Sequence, residues 1–204
     1  MPARLPDDRP LVGRTVRLDR TVPDDAAGIF AALDHDEVWA AGYSGGPASR
    51  PRSISATAEV IAAARAAGRA QYTVRLLRDS DLGEAGTIVG TTSLADFELR
   101  DEKTHLGWTA YQPSVWAGPV NPECKLLLLS YAFDDLGFGR VKIQTDLINA
   151  RSQAAIAKLG AVREGVVRRD TKRGDGSWRD SVVFSVIIDE WPAVRDGLQR
   201  RLGY

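Results

Sequence analysis

The residues that could do chemistry gather at two predicted helix starts in the second half of the chain. The segment WAGPVNPE (116–123) precedes an apolar run, and NARSQAAIAKLGA (149–161) places Asn149 and Ser152 three residues apart. The first N–H groups of a helix lack carbonyl partners and carry partial positive charge, so either segment could bind a phosphate group. Lys125, one turn into the first helix, could add charge. Ordinary helix capping is the alternative for both segments.

Few side chains of the sequence suit acid–base chemistry. His105 lies in a predicted strand, THLGWTAY (104–111), and an imidazole with a pKa near ~6.5 can accept a proton at neutral pH. An exposed strand histidine without a catalytic role is the alternative. Asp96, Glu98 and Glu102, at the end of the preceding predicted hairpin, are rival bases.

The composition argues against several kinds of site. The chain has 204 residues, 27 Lys+Arg against 27 Asp+Glu, one Cys and two His. A single Cys allows no internal disulfide, and so few Cys and His residues would leave a zinc or iron–sulfur site short of ligands, so no metal is predicted. The balanced charge argues against nucleic-acid binding. Cys124 lies on an apolar helix and fits a buried, inert thiol better than an acyl carrier.

The chain start and the hydropathy predict a cytoplasmic protein that does not contact a membrane. No apolar run approaches the ~20 residues that span a bilayer. Residues 1–13 contain three Pro and lack the apolar segment of a signal peptide. We expect them to form an extended arm, followed by a single domain over residues 14–204.

The elements that would position these residues follow from apolar periodicity and from Gly and Pro. Asn121 is the predicted N-cap of the first of the two site helices, with Pro122 at its first position and Gly137 after its end. The element order β-α-α-β-β-β-α-β-α-β-β-α favours one domain with a mixed sheet and helices on both faces. The predicted strands lie near 16–18, 72–76, 87–99, 104–111, 140–146, 161–169 and 178–188, and the helices lie near 23–33, 55–67, 122–136, 149–160 and 190–202.

Several stretches, taken in order, resemble the GCN5-related N-acetyltransferase (GNAT) superfamily, and most closely its Rim-type ribosomal-protein N-acetyltransferases. They are LDRTVPDDAAGIFAAL (18–33), LGWTAYQPSVW (106–116), NPECKLLLLSYAF (121–133), LGFGRV (136–141), NARSQAAIAKLGA (149–161) and REGVVR (163–168). The resemblance implies an α/β (α+β) fold with a mostly antiparallel twisted sheet of about seven strands. It also implies an N-acetyltransferase that uses acetyl-CoA on a primary amine, either a protein N-terminus or a small molecule.

The resemblance further implies where acetyl-CoA binds. In the family, a gap between the fourth and fifth strands, here 104–111 and 140–146, admits the pantetheine arm. The implied cofactor-binding residues are Trp108, Thr109 and Ala110 along the pantetheine, Ala117, Gly118, Pro119, Val120 and Asn121 around the pyrophosphate, and Lys125, Asn149 and Ser152 nearby. Ser114, Ala117 and Pro119 replace the residues usual in the family's loop, which predicts weaker phosphate binding or greater use of Lys125.

The resemblance assigns catalytic roles to Ser152 and His105. Ser152 matches the serine that is proposed to protonate the leaving thiolate in the Rim branch, and Ile156 stands where many members have Tyr. His105 stands where the Rim pattern often has a Glu base. The amine would attack the thioester directly in a ternary complex, and a backbone N–H of strand 104–111 would stabilise the oxyanion.

The acceptor would lie between the first helices and the last hairpin, against Trp39, Tyr43 and Trp178. The basic residues of the turn at 168–173 could meet an acidic acceptor or the 3′-phosphate of CoA, with a solvated hairpin tip as the alternative. A catalytically weak or inactive acyl-CoA-binding regulatory module is the alternative to the enzyme. The sequence does not decide whether the protein is a monomer or a homodimer.

Overall fold

The computed structural model of the protein describes residues 2–40 and 42–204. An eight-stranded sheet runs through it in the order β1-β2-β3-β4-β5-β6-β8-β7. All neighbouring strands pair antiparallel except β5 and β6, which are parallel, so the predicted mixed and mostly antiparallel sheet is confirmed. The strands are Leu11–Val12 (β1), Val16–Arg20 (β2), Ala70–Leu76 (β3), Ile88–Glu98 (β4), Lys103–Tyr111 (β5), Arg140–Asp146 (β6), Val162–Lys172 (β7) and Trp178–Ile187 (β8).

The helices cover both faces of the sheet, as predicted. One apolar cluster joins the sheet to α4, α5 and α6, and a second cluster joins it to α1, α2 and α3. The helices are Ala26–Leu33 (α1), Asp36–Ala40 (α2), Ile54–Ala66 (α3), Val120–Ser130 (α4), Ala150–Ala157 (α5) and Trp191–Leu202 (α6). The short helix α2 was not predicted from the sequence.

The sheet has one strand more than the seven expected. This additional strand is β1, and it comes from the segment that was predicted to be an extended arm. Leu11 pairs with Leu18 of β2 and is buried in the larger apolar cluster. Farther back, the backbone N–H of Asp7 donates to the hydroxyl of Tyr131 at 2.9 Å. Part of the first 13 residues therefore packs on the domain.

The start of α4 differs from the prediction. Asn121 is not the N-cap: the helix begins at Val120, and Pro119 at the cap already has helical dihedrals, φ −74° and ψ −18°. Proline fixes φ near −65°, so this residue enters the helix without strain and moves the start two residues back. The Asn121 side chain is thereby released from capping.

Candidate active site

The strands β5 and β6 separate and leave a cleft in the middle of the sheet. They pair only from Lys103–His105 to Arg140–Lys142. Beyond this point both strands line a cavity with a volume of about 380 Å³. The gap predicted between 104–111 and 140–146 is therefore present, and side chains from both faces of the sheet reach it.

A bulge in β5 shapes the wall of the cleft. The pairing with β4 steps from Ser93–Gly107 to Thr91–Ala110, so Trp108 and Thr109 both stand opposite one residue of β4. Trp108 has φ +47°, a left-handed conformation that costs a non-glycine residue about 1 kcal/mol or more. The bulge takes backbone groups out of the ladder beside the cavity, where a ligand can use them.

His105 is buried at the divergence of the two strands, so the alternative of an exposed strand histidine is wrong. Its side chain is 4% exposed, and its Nδ1 lies 3.1 Å from Oδ2 of Asp96. A carboxylate only accepts, so we assign the proton to Nδ1. The Nε2 is buried, lacks a hydrogen-bond partner in the described part of the chain, and belongs to a residue that lines the cavity.

The electrostatics of this pair favour a neutral imidazole. Burial lowers the pKa of His105 below 6.5, and the hydrogen bond to Asp96 opposes that fall. The same hydrogen bond lowers the pKa of Asp96 to about 2. His105 therefore keeps a free Nε2 lone pair at neutral pH, as a general base requires.

The rival bases occupy different places. Asp96 contacts His105 and orients it, with Lys142 at 3.3 Å on its other side. Glu98 is exposed and lies 3.4 Å from Lys103, outside the residues that line the cavity. Glu102 is also exposed and uses its backbone carbonyl to bind the loop before β6.

The start of α5 brings Asn149 and Ser152 to the cavity. The Asn149 side-chain oxygen accepts the N–H of Ser152 at 2.9 Å, which confirms the predicted cap. This cap uses the backbone of Ser152 and leaves its hydroxyl free for a ligand. Ile156, at the position where Tyr was expected from the family, lines the cavity one turn later.

Lys125 lies inside the cleft and not at its outer rim. Its Nζ donates to Oγ1 of Thr109 on β5 at 2.8 Å, and no described Asp or Glu oxygen lies within 4.0 Å of it. Burial lowers its pKa from 10.5 to about 7. The neighbouring Cys124 is fully buried, and burial raises its pKa to about 12, so the thiol is inert, as predicted.

The predicted phosphate loop contributes only in part. Ala117 and Asn121 line the cavity, whereas Gly118, Pro119 and Val120 do not, and Val120 is fully buried. Because the N–H groups of the first helical turn lack intrahelical partners, the start of α4 still offers donors at the rim.

Arg151, which the sequence reasoning missed, lines the cavity near this rim. Its guanidinium stacks 3.6 Å from the centroid of the Trp116 ring, and burial lowers its pKa. The signal was present in the sequence, since Arg151 stands between the two polar residues of the segment that starts at Asn149. It supplies a cation close to the end of the cleft where the phosphate was expected.

The structure brings one of the three predicted acceptor-site aromatics to the cavity. Tyr43 lines it, with its hydroxyl 3.5 Å from the carbonyl of Trp108. Trp39 lies outside, because its Nε1 donates to the carbonyl of Leu33 and its ring packs edge-on against Tyr43, 5.2 Å between centroids. Trp178 is 40% exposed on the last hairpin, away from the described lining of the cavity.

The hairpin turn is not a fully solvated basic tip. Arg173 makes an ion pair with the buried Asp146 at 2.8 Å, and the N–H of Gly174 donates to the carbonyl of Gly45 at 3.3 Å. The turn thus closes over one end of the cleft. Gln144, Asp146, Thr171 and Arg179 line this wall, and no local sequence signal marks them.

Residues 15–162 match a family model described as the acetyltransferase (GNAT) domain. The chain belongs to the GNAT family. The resemblance that was inferred from the motifs is therefore confirmed.

Related proteins place this GNAT chain among acetyltransferases. It is 28% identical over 106 residues to YdaF of Bacillus subtilis (strain 168), named as a ribosomal N-acetyltransferase, so the match spans 52% of the chain and 57% of that relative. A T. thermophilus structure named as an acetyltransferase is 31% identical, with a TM-score of 0.83 over 98% of the chain and 100% of its own.

A more distant structure, Mycobacterium smegmatis RimJ in complex with CoA-disulfide, shares the fold. It is 18% identical, with a TM-score of 0.75 over 92% of this GNAT chain and 89% of its own length. Separately, none of the helices that the structure describes is long and apolar enough to cross a membrane.

Proposed function

We propose that this chain transfers the acetyl group of acetyl-CoA to a primary amine by direct attack in a ternary complex. The observation that carries the proposal is the cleft between β5 and β6, which is lined from both faces of the sheet. A donor can lie against α4 and α5 while an acceptor approaches from the loop that contains Tyr43.

The residues present fit a CoA thioester. Two basic side chains of the lining, Lys125 and Arg151, lack a carboxylate within 4.0 Å among the described residues, so they are available to polar groups of a ligand. The start of α4 adds N–H donors at the rim. Acetyl-CoA, when bound, supplies an activated acetyl group and a thiol leaving group.

The chain's own residues then have distinct tasks. Nε2 of His105 accepts the proton of the attacking amine, with Asp96 holding the ring through Nδ1. The backbone N–H groups at the Trp108 bulge stabilise negative charge on the carbonyl oxygen. The hydroxyl of Ser152 gives a proton to the departing sulfur, and no covalent acyl-enzyme is needed.

The acceptor that we favour is the N-terminus of a protein, with a small-molecule amine as the alternative. Support comes from the relatives named as ribosomal N-acetyltransferases, of which YdaF is one. A protein acceptor of this kind would place the chain in the cytoplasm.

An acyl-CoA-binding module without turnover is the second candidate. Pro119 and Pro122 each lack an N–H and so remove donors from the start of α4, and Ile156 stands in place of the family's Tyr acid. These features favour weaker cofactor binding and a weaker acid than is usual in the family.

Calorimetric titration with CoA tests the donor half of the proposal. Arg151→Ala should weaken CoA binding by about 10-fold, since one charge-assisted contact contributes about 1.5 kcal/mol. Arg65→Ala, an exposed arginine on α3 outside the cavity, is the matched control. Equal CoA affinity in Arg151→Ala and wild type would contradict a phosphate-facing role for the α5 start.

A further inference from the structure

Arg179 lies on the same face of the sheet as the candidate base. His105 stands beside Lys142 in the β5–β6 pairing, and Asp146, four residues after Lys142, shares its face because side chains alternate. Asp146 stands opposite Ser181, two residues after Arg179. Arg179 is therefore on the face that carries His105, and it lines the same cavity.

The guanidinium of Arg179 lacks an anionic partner. Its Nε is buried and has no hydrogen-bond partner, and among residues 2–40 and 42–204 no carboxylate oxygen lies within 4.0 Å of the side chain. Burial lowers its pKa, with the carboxylates of Asp146 and Asp170 acting only from a greater distance. A partly buried charge without a partner destabilises the free protein, and a bound anion would offset that cost.

The nearby carboxylates already have partners. Asp146 is held by Arg173 at 2.8 Å, and Asp170 accepts the hydroxyl of Ser181 at 2.6 Å. Because neither carboxylate pairs with Arg179, its guanidinium is available to bind an anionic ligand at this wall of the cavity.

A second arginine lies beside the cavity, next to Trp108, although it is not among the residues that line the cavity. Arg69 stacks 3.8 Å from the centroid of the Trp108 ring, and burial lowers its pKa. No carboxylate within the described ranges lies within 4.0 Å of it either. The chain has zero net charge, yet at this wall Arg173 offsets Asp146 and leaves the charge of Arg179 without a close carboxylate among the described residues.

We propose that Arg179 binds a carboxylate of the acceptor, so that the chain acetylates amines that carry an acidic group close to the amino group, such as peptides with Asp or Glu near the N-terminus. This inference rests on the proposed function. A guanidinium presents its donors in a planar fork that matches the two oxygens of a carboxylate, and the Nη groups of Arg179 are the donors that a ligand in the cavity can reach. A neutral or basic acceptor would leave the Arg179 charge partly buried and unpaired.

Two matched peptides test the inference, Ala-Asp-Ala-amide and Ala-Asn-Ala-amide, which differ by a carboxylate against a carboxamide of similar shape. Wild type should acetylate the Asp peptide with a kcat/KM about 10-fold higher or more, since a hydrogen bond to a charged group contributes about 1.5–3 kcal/mol. Arg179→Gln should abolish this preference, so that its kcat/KM values for the two peptides are equal. Arg163→Gln, an exposed position on β7 outside the cavity, should keep the preference.

The outcomes separate the inference from the function on which it rests. Acetylation of both peptides at equal rates by wild type, or a preference that survives in Arg179→Gln, overturns the role of Arg179 alone. Acetylation of no amine overturns the proposed function, and calorimetric binding of the two peptides to the CoA complex then decides the role of Arg179. Unchanged CoA affinity in Arg179→Gln shows that the variant is folded.

Discussion

The buried Lys125 should make the stability of this protein depend on pH. The fall of its pKa from 10.5 to about 7 corresponds to about 5 kcal/mol, since one pKa unit is about 1.4 kcal/mol. Between pH 7 and 10.5 the unfolded chain holds a proton on this amine that the folded chain has released. Stability therefore rises with pH across this window, and the full penalty applies below about pH 7.

The change Lys125→Met removes this titration and shortens the unbranched side chain by one heavy atom. The variant should be more stable than wild type by up to about 5 kcal/mol at pH 6, less about 1 kcal/mol for the lost hydrogen bond to Thr109. The advantage should shrink steadily as the pH rises to 9.5. Urea unfolding followed by tryptophan fluorescence at several pH values measures it.

The control is Lys158→Met, because Lys158 is exposed at the end of α5. Its stability difference from wild type should not change with pH. A difference between Lys125→Met and wild type that is the same at pH 6 and pH 9.5 would refute the reasoning, since it would mean that Lys125 is charged in the folded protein.

Four further changes test the remaining contacts. His105→Ala should lower kcat by about 100-fold or more and remove the acid limb of the pH–rate profile. In wild type this limb lies below pH 6.5, because burial lowers the pKa of His105, and a limb that stays intact in the variant excludes His105 as the base. Asp96→Asn should move that limb to lower pH, because Asp96 raises the pKa of His105, and an unmoved limb would show that the contact has no electrostatic effect. Ser152→Ala should lower kcat more than it raises KM for acetyl-CoA, and an unchanged kcat removes the proposed acid. Glu123→Gln should reduce the free energy of unfolding by about 2–3 kcal/mol, because the carboxylate accepts three backbone N–H groups and the hydroxyl of Tyr204; an unchanged urea midpoint would contradict this.

Local chemistry made part of the site predictable from the sequence. The cap at Asn149 depends on residues within one helical turn, so the sequence contains all the information that it needs. The start of α4 depends on the same rules, yet its prediction was wrong, because Pro119 and Pro122 both suit a first helical turn. The gap between β5 and β6 followed only from the family resemblance.

Contacts between distant segments could not be predicted. The pair Asp146–Arg173 joins residues 27 apart and forms because the β7–β8 turn docks on the loop at Gly45. Arg179 has no carboxylate partner among the described residues for the same reason. The docking of the turn brings Arg173 to Asp146, so that Asp146 pairs with Arg173 and not with Arg179. The burial of His105 depends on where the strands diverge, and this is a property of the whole sheet.

The central claim is tested most directly by following the acetyl group. Acetyl-CoA with a deuterated acetyl group is incubated with the protein and Ala-Asp-Ala-amide, while free thiol is counted and the peptide mass is measured. We expect one labelled acetyl group on the peptide amine for each thiol released, with the rate falling in His105→Ala. Tight CoA binding without thiol release on this or any other amine would contradict the account and favour a binding module.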